Sequence, residues 1–375
     1  MDRFKFMQLT RVCGILLLSL SLYTSQAQVV GGQYAMEYLR LANAPHISAL
    51  GGMNVANTDG DISFAGQNPA LMRPGLHNQL GLNYNAYYSG ISIANLIYGY
   101  HLKEINTSFV LGVQYLNYGN FTETDNIGNE YGTFHAADYS INLGASRQYG
   151  KNWRYGTNIK WAHSRLYDKT ASAVLADIGV NYFDTASLWD LGIVAKNVGF
   201  MVDKYSNTNP AEPLPLDVQL GISKRFKHLP LKLLATVHHI YTWDIRYDNP
   251  TDAQTNTVFG STDTTADTKG HFGDKFFRHF IFGAEISIAK RLTATVAYNH
   301  LRRSEMMLTD KPALAGFSFG LGIYLNKFQV HYARSYYSLA GAYNEIGINM
   351  QLNKLFGIGK LGEKTGWKDS YPDWE

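Results

Sequence analysis

Val174-Leu175-Ala176-Asp177-Ile178-Gly179-Val180-Asn181-Tyr182 alternates without a break. Successive side chains of a strand point to opposite faces. Val174, Ala176, Ile178, Val180 and Tyr182 therefore form one apolar face, and Asp177, Gly179 and Asn181 fall on a face of small and polar groups. The same period of two recurs at Leu216, Val218, Leu220 and Ile222, and at Phe280, Phe282, Ala284, Ile286 and Ile288. It returns at Phe317, Phe319, Leu321 and Ile323, and at Ile346, Ile348, Met350 and Leu352. Applied along the chain, the pattern predicts strands near 79–88, 91–101, 106–118, 134–149, 153–164, 172–183 and 188–197. It continues at 215–226, 231–242, 276–288, 291–300, 314–325, 327–336 and 344–352. That is about fourteen, an even number, as closure of a single-chain antiparallel membrane barrel requires. Most segments reach the length of about 9–11 residues that a tilted strand needs to cross a bilayer.

The connections sort by length. Tyr149-Gly150-Lys151-Asn152, Asp184-Thr185-Ala186-Ser187, Lys227-His228-Leu229-Pro230 and Ala289-Lys290 are tight turns. Long polar connections are expected at 119–133, 198–213, 243–275 and 301–312. Short turns on one rim and longer loops on the other mark an outer-membrane β-barrel. Inward positions such as Gln114, Asn158, Lys160, Asp177, Asn181, Asp217, Gln219 and Glu285 make the expected lumen polar. Tyrosines near strand ends, among them Tyr84, Tyr98, Tyr115, Tyr118 and Tyr336, suit the membrane–water boundary. Charged residues make up 17% of the chain, below the quarter typical of soluble proteins. A net charge of +3 without a concentrated basic face argues against a nucleic-acid partner.

Residues 1–27 read as a secretory signal, with Arg3, Lys5 and Arg11 ahead of an apolar run at 12–23 and Ser25-Gln26-Ala27 as a cleavage site. The apolar run is shorter than the roughly 20 residues of a membrane-spanning helix. Cys13 lies within it, so the mature chain is expected to lack disulfides, thiol nucleophiles and thiolate metal sites. No Gly-x-Ser-x-Gly elbow and no Ser/His/Asp set stands out, so no catalytic residue, cofactor or metal ligand is assigned and no enzyme activity is expected. Gly357-Ile358-Gly359-Lys360-Leu361-Gly362 has dinucleotide-like spacing without a βαβ context. His238 and His239, adjacent in an expected strand, should face opposite ways and share no metal. His163, His279, His300 and His331 show no ligand spacing. Asp59-Gly60-Asp61 reads as a turn, since the later glutamate of a calcium loop is missing.

Residues 28–78 do not read as strands. Ser48-Ala49-Leu50-Gly51-Gly52 leads to Asp59-Gly60-Asp61 and then to Gln67-Asn68-Pro69-Ala70-Leu71. This order resembles the long-chain fatty-acid transporter (FadL-like) superfamily of outer-membrane barrels. The resemblance implies a luminal plug carrying Leu50, Gly51, Gly52, Asp59, Asp61, Asn68, Pro69 and Ala70, ahead of a fourteen-stranded wall. The blocks at 48–52, 67–71, 114–125 (Gln114-Tyr115-Leu116-Asn117-Tyr118-Gly119-Asn120-Phe121-Thr122-Glu123-Thr124-Asp125), 316–320 and 337–341 look more like one branch, the PorQ family of the type IX secretion system.

The expected organisation is a signal peptide at 1–27, a plug at 28–78, an integral outer-membrane barrel at 79–352 and a periplasmic tail at 353–375. The PorQ-type resemblance implies a scaffold, not a catalyst, in an attachment complex. Its implied partners are a PorZ-like surface protein, a PorU-like sortase, a PorV-like barrel, and the lipid and lipopolysaccharide of the outer membrane. Cargo would there be processed and joined to anionic lipopolysaccharide. Glu123, Asp125, Pro210, Pro213, Asp252, Asp263 and Asp267 are candidate partner contacts in the long loops, with plain solvated loops as the alternative. The competing function, from the wider superfamily, is a transporter or channel for hydrophobic small molecules.

Overall fold

The computed structural model describes residues 34–206, 212–245, 272–289, 291–306, 314–338 and 341–356. Fourteen strands close into one antiparallel barrel. They are β1 (Gln79–Ala86), β2 (Ser92–Leu102), β3 (Thr107–Thr124), β4 (Glu130–Tyr149), β5 (Trp153–Leu166), β6 (Lys169–Asp184) and β7 (Trp189–Asp203). The second half is β8 (Asp217–Arg225), β9 (Leu231–Val237), β10 (Phe280–Ala289), β11 (Leu292–Asn299), β12 (Phe317–Tyr324), β13 (Phe328–Ser338) and β14 (Gly341–Gln351). Each strand pairs with its sequence neighbours, and β1 closes on β14 with Gln79 opposite Gln351 and Ala86 opposite Asn344. Every expected strand is present, shifted at the ends by a few residues.

Burial along the wall is inverted relative to a soluble protein. In β5, Arg154, Asn158 and Lys160 are buried, while Trp153, Tyr155, Ile159 and Trp161 are exposed. Ile178, Leu143, Ile288 and Ile346 point outward in the same way, whereas Asp177, Gln219, Glu285 and Asn349 point in. Exposed isoleucines around a wall whose inner face is polar mean that hydrocarbon, not water, surrounds it. The chain is an integral outer-membrane barrel. Among the described residues no helix is long and apolar enough to cross a membrane, so strands do the crossing.

One expected loop is largely strand and a second is partly so. β3 and β4 run on to Thr124 and from Glu130, leaving only a turn at 125–129. β7 likewise continues to Asp203. Alternation fades in β3 and β4, where Asn117, Asn120, Thr122 and Glu123 are polar and the register shifts between Asn117 and Asn120, whereas in β7 an irregularity at Asn197 (φ 59°) shifts its phase so that Val198, Phe200 and Val202 face outward. β3 to β7 thus form a ridge above the outer rim. The connection between β5 and β6 is only Tyr167-Asp168, so the outer side carries short turns as well as long ones. Most of 243–275 and the Gly357–Gly362 motif lie outside the described residues. In the tail, 352–356 form a short helix.

Ile159 sits at the middle of β5 and is 61% exposed. Ile159→Arg should cost about 2–4 kcal/mol if that face meets the bilayer core. Denaturant-dependent folding into lipid vesicles measures this, and a cost near zero would place the face in water.

Candidate functional site: an ionic seam between the luminal segment and the wall

Residues 34–78 lie inside the barrel. Ala49 reaches Gly320, Leu50 reaches Gly283, Val55 reaches Gly221, Pro69 reaches Gly156, Met72 reaches Gly99 and Pro45 reaches Gly347. A segment that touches β2, β5, β8, β10, β12 and β14 can only run through the middle. Several of these glycines are required by space. A Cβ at Gly156 would lie 2.6 Å from the Pro69 carbonyl carbon, and one at Gly192 would strike the Val55 carbonyl oxygen. The wall is hollowed where the segment presses against it.

Short turns shape the segment. The helix Pro45–Ala49 starts with proline in its first turn. It ends at Gly51 and Gly52, whose φ values of 88° and 95° favour glycine, and the amide of Gly51 donates to Ser48 O at 3.0 Å. Leu50 is buried with Ile47, Phe64, Leu71 and Leu234. Asn68 caps the turn Pro69–Leu71: its Oδ1 accepts from the Ala70 amide at 3.0 Å, and its Nδ2 donates to the Val55 and Val180 carbonyls at 3.0 and 3.4 Å. Asp61 caps the turn Ile62–Gly66 through the Ser63 amide at 2.9 Å. Asp59-Gly60-Asp61 is therefore a turn as expected, and its carboxylates are committed to ion pairs.

The polar seam has two linked parts. His46 bridges two carboxylates, with Nδ1 at 3.0 Å from Asp61 Oδ2 and Nε2 at 2.6 Å from Glu285 Oε1. Its ring stacks on His331 at 4.7 Å and meets the edge of Phe64 at 4.9 Å. Asn349 Nδ2 donates to Asp61 Oδ1 at 2.9 Å. In the second part, Asp59 accepts from Lys232 at 2.8 Å and from Arg225 at 2.7 Å. Lys232 also donates to Asn57 at 2.7 Å and lies 3.8 Å from Glu285 Oε2, which joins the parts. Nearby, Ser48 and Asn85 both donate to Glu345, at 2.6 and 2.7 Å. Further round, Asn158 donates to Ala65 O, Arg73 to Asn181, Lys196 to Gln67 and Gln79 to Gly60 O.

His46 was absent from the expected site residues, and so was its partner Glu285 as a site residue. The pair is 239 residues apart in sequence, and only a register-complete barrel brings them together. The four histidines without ligand spacing do not meet one another. His163 contacts Ser172, His279 contacts the His238 carbonyl, and His300 contacts Asp274. Only His331 joins the seam, beside His46. The opposite-face expectation for His238 and His239 fails: β9 stops at Val237, His239 takes a φ of 54°, and the two Nδ1 atoms are 2.6 Å apart. The chain turns there instead of continuing as a strand.

Among the candidate partner contacts, Asp125 closes its own turn, accepting from the Ile127 and Asn129 amides at 3.0 and 2.8 Å and from the Tyr131 hydroxyl at 3.0 Å. Glu123 accepts from the Tyr167 hydroxyl at 2.5 Å. The Pro213 carbonyl accepts from the Ala35 amide at 2.9 Å, tying that loop to the luminal segment. Pro210, Asp252, Asp263 and Asp267 lie outside the described residues.

No family model and no curated protein matches the chain. Among solved structures, it is similar to a TodX monoaromatic hydrocarbon channel (deltaS2 mutant) at 13% identity, covering 82% of this chain and 96% of that one with a TM-score of 0.45. The CymD monoaromatic hydrocarbon channel gives 13% identity, coverage of 83% and 97%, and a TM-score of 0.45. A FadL homologue of Pseudomonas aeruginosa gives 10% identity, coverage of 78% and 94%, and a TM-score of 0.40. At such identity and overlap the likeness carries nothing about substrate. The closed barrel itself rests on the strand pairing above.

The charges of the luminal segment set a pH window. Burial disfavours the charged form of His46, but hydrogen bonds and charges of Asp61 and Glu285 outweigh it and hold the imidazole up at about 10. Burial pushes Asp61 up, yet its bond to His46 and the nearby imidazoles win and hold it below the usual carboxylate range. Burial opposes the charge of Asp59 too, and Lys232 and Arg225 win there in the same direction. A raised histidine stabilises fully below about pH 6.5 and loses that contribution as pH climbs through its folded value. The lowered aspartates stabilise above about pH 4 and lose their contribution as pH falls below that. Protease resistance of 34–78 should therefore decline as pH climbs toward about 10. Limited proteolysis in detergent across that range measures it, and an undiminished alkaline decline in His46→Gln would assign the step to other groups.

Asn68→Ala removes the cap and leaves the Val55 carbonyl without its side-chain donor, at a cost of about 1–3 kcal/mol. Cleavage within 34–78 should rise while the barrel keeps its heat-modifiable migration. Unchanged cleavage with Asn68→Ala and Pro69→Ala combined would show that this turn does not seat the segment.

Proposed function

We propose that this barrel is a structural anchor of the outer membrane that holds a surface partner, as the resemblance to the PorQ family implies. The observation that carries this reading is the filled lumen. The luminal segment meets the wall around its circumference, and one small cavity beside it, lined by Asn57, Asp61, Arg73 and Leu76, has a volume of about 10 Å³, room for about one water. A conduit needs a path, and buried ion pairs between segment and wall such as Lys232–Asp59 and Arg225–Asp59 are costly to break for each passage. Nothing in this role requires a catalytic group.

The ridge of β3 to β7 is the matching outer feature. It carries Phe121 stacked on Phe134 at 5.2 Å, Tyr167 against Phe134 at 4.9 Å, and exposed Ile127 and Tyr131 at its tip. Aromatic groups held on a rigid sheet outside the membrane suit a protein contact. In this reading the partner is PorZ-like, in a complex with a PorU-like sortase and a PorV-like barrel, and the cargo is joined to anionic lipopolysaccharide.

A second reading, a transporter or channel for hydrophobic small molecules, is favoured by one observation. An apolar hollow of about 710 Å³ lies on the outer face of β1, β2, β3, β13 and β14, lined by Leu82, Tyr84, Leu96, Tyr115, Val330 and Ile346. On its inner side it ends at Asn83, Asn95 and Gly347. Asn83 reaches Ser63 of the luminal segment at 3.4 Å, so a route inward would need that segment to move.

A deletion strain separates the two. Under the anchor reading, secreted cargo is released unattached and the surface partner is shed, and the same follows when 120–133 is replaced by a tight turn with the barrel still inserted. Normal cargo display with impaired uptake of a hydrophobic compound would overturn it in favour of transport.

A further inference from the structure

We propose that His46, Asp61 and His331 form a binding site for a divalent transition metal of the zinc class, which pins the luminal segment to the wall. The three donors are His46 Nδ1, Asp61 Oδ2 and His331 Nε2. They lie within 4.8 Å of one another, and all three residues are buried. Asp61 Oδ2 is 3.0 Å from His46 Nδ1 and 3.8 Å from His331 Nε2. Ligands at about 2.0–2.2 Å from a tetrahedral zinc stand roughly 3.3–3.5 Å apart, so binding draws the three donors together and turns the His46 and His331 rings out of their parallel stack until both lone pairs meet the ion.

Three further features point to a ligand. His331 Nε2 is buried, has no hydrogen-bond partner, and faces the carboxylate at a distance too long for a hydrogen bond. Its residue is 4% exposed, so water does not offset that loss. Asp61 is already oriented. Oδ1 is held by the Ser63 amide and the Asn349 side chain, which leaves Oδ2 for the two imidazoles. His46 is oriented from behind. Its Nε2 meets Glu285 Oε1 at 2.6 Å while Nδ1 faces Asp61. A carboxylate on the far nitrogen of a ligating histidine fixes the tautomer and raises the ligand's basicity. In the metal-free state a proton on Nδ1 bridges to Asp61, and the metal takes that position.

Two imidazoles and one carboxylate suit zinc, and nickel or copper would enter the same donors. The site joins His46 and Asp61 of the luminal segment to His331 of β13. It is thus a pin between two parts that are otherwise linked by ion pairs and packing, and it is independent of which outer partner the barrel holds.

The test uses the full chain purified in detergent, stripped with a chelator and dialysed against zinc. Bound metal is counted by atomic emission, and cobalt(II) replaces zinc for visible absorption. About one zinc per chain is expected, with a tetrahedral cobalt band and slower proteolysis of 34–78 when zinc is present. His331→Gln should abolish retention, and Glu285→Gln should weaken binding by roughly 10–100-fold. His163→Gln, outside the cluster, should bind normally. Heat-modifiable migration reports that each variant is folded. Less than about a fifth of an equivalent in the unmodified chain, or equal retention in folded His331→Gln, overturns the site. Should His331→Gln not fold, the absence of a tetrahedral cobalt band in the unmodified chain overturns it by itself.

Discussion

The pairing of β1 with β14 is the constraint from which the rest follows. Backbone groups exposed to hydrocarbon cost several kcal/mol each, so a sheet that spans a bilayer cannot keep an edge. Closing the ring places one face of every strand toward lipid and the other toward a lumen. That division explains the inverted strands, in which Ile159 and Trp161 face out while Asn158 and Lys160 face in. It also creates a problem inside. A narrow interior crowded with Asp177, Asp217, Lys232, Glu285 and Glu345 excludes most water, and those groups need partners.

The luminal segment supplies many of them. Asp59 answers Lys232 and Arg225, His46 answers Glu285, Ser48 answers Glu345, and the Ala65 carbonyl answers Asn158. Lys160 and Asp177 answer one another within the wall. Removing one member of such a buried pair leaves a charge without compensation, which costs far more than the pair contributes net. Wall and segment therefore specify each other. The glycines of the wall show the same dependence in shape, because Gly156 and Gly192 are cut back where Pro69 and Val55 press in.

How much of this was legible depends on range. The fourteen strands could be read because a period of two is a local property, and lipid on one side keeps it strict. Gly51, Gly52 and Asn68 entered through the family resemblance alone, although their bonds are local, the Gly51 amide meeting Ser48 and the Asn68 side chain meeting the Ala70 amide. The outer halves of β3 and β4 could not, because polar residues occupy both faces there, and that of β7 could not because an irregularity at Asn197 shifts the phase of its alternation. His46 with Glu285 and His331 could not either, since no spacing encodes a contact across 239 residues. His238 and His239 misled because strand geometry was extended one turn too far.

A sealed lumen and a mobile one differ in what holds the segment, and the seam bears on this directly. Its contacts are distributed from β1 to β14, so no single strand acts as a hinge. Release would have to break ion pairs on β8, β9 and β10 together with packing of Leu50 and Phe64 against Leu234. Interactions of this kind are cooperative within one network, so partial opening gains little until most are broken. The ridge of β3 to β7, by contrast, is joined to the same sheet and needs no opening to meet a partner outside. The segment therefore stiffens the barrel from within, and any path through the lumen would first have to displace it.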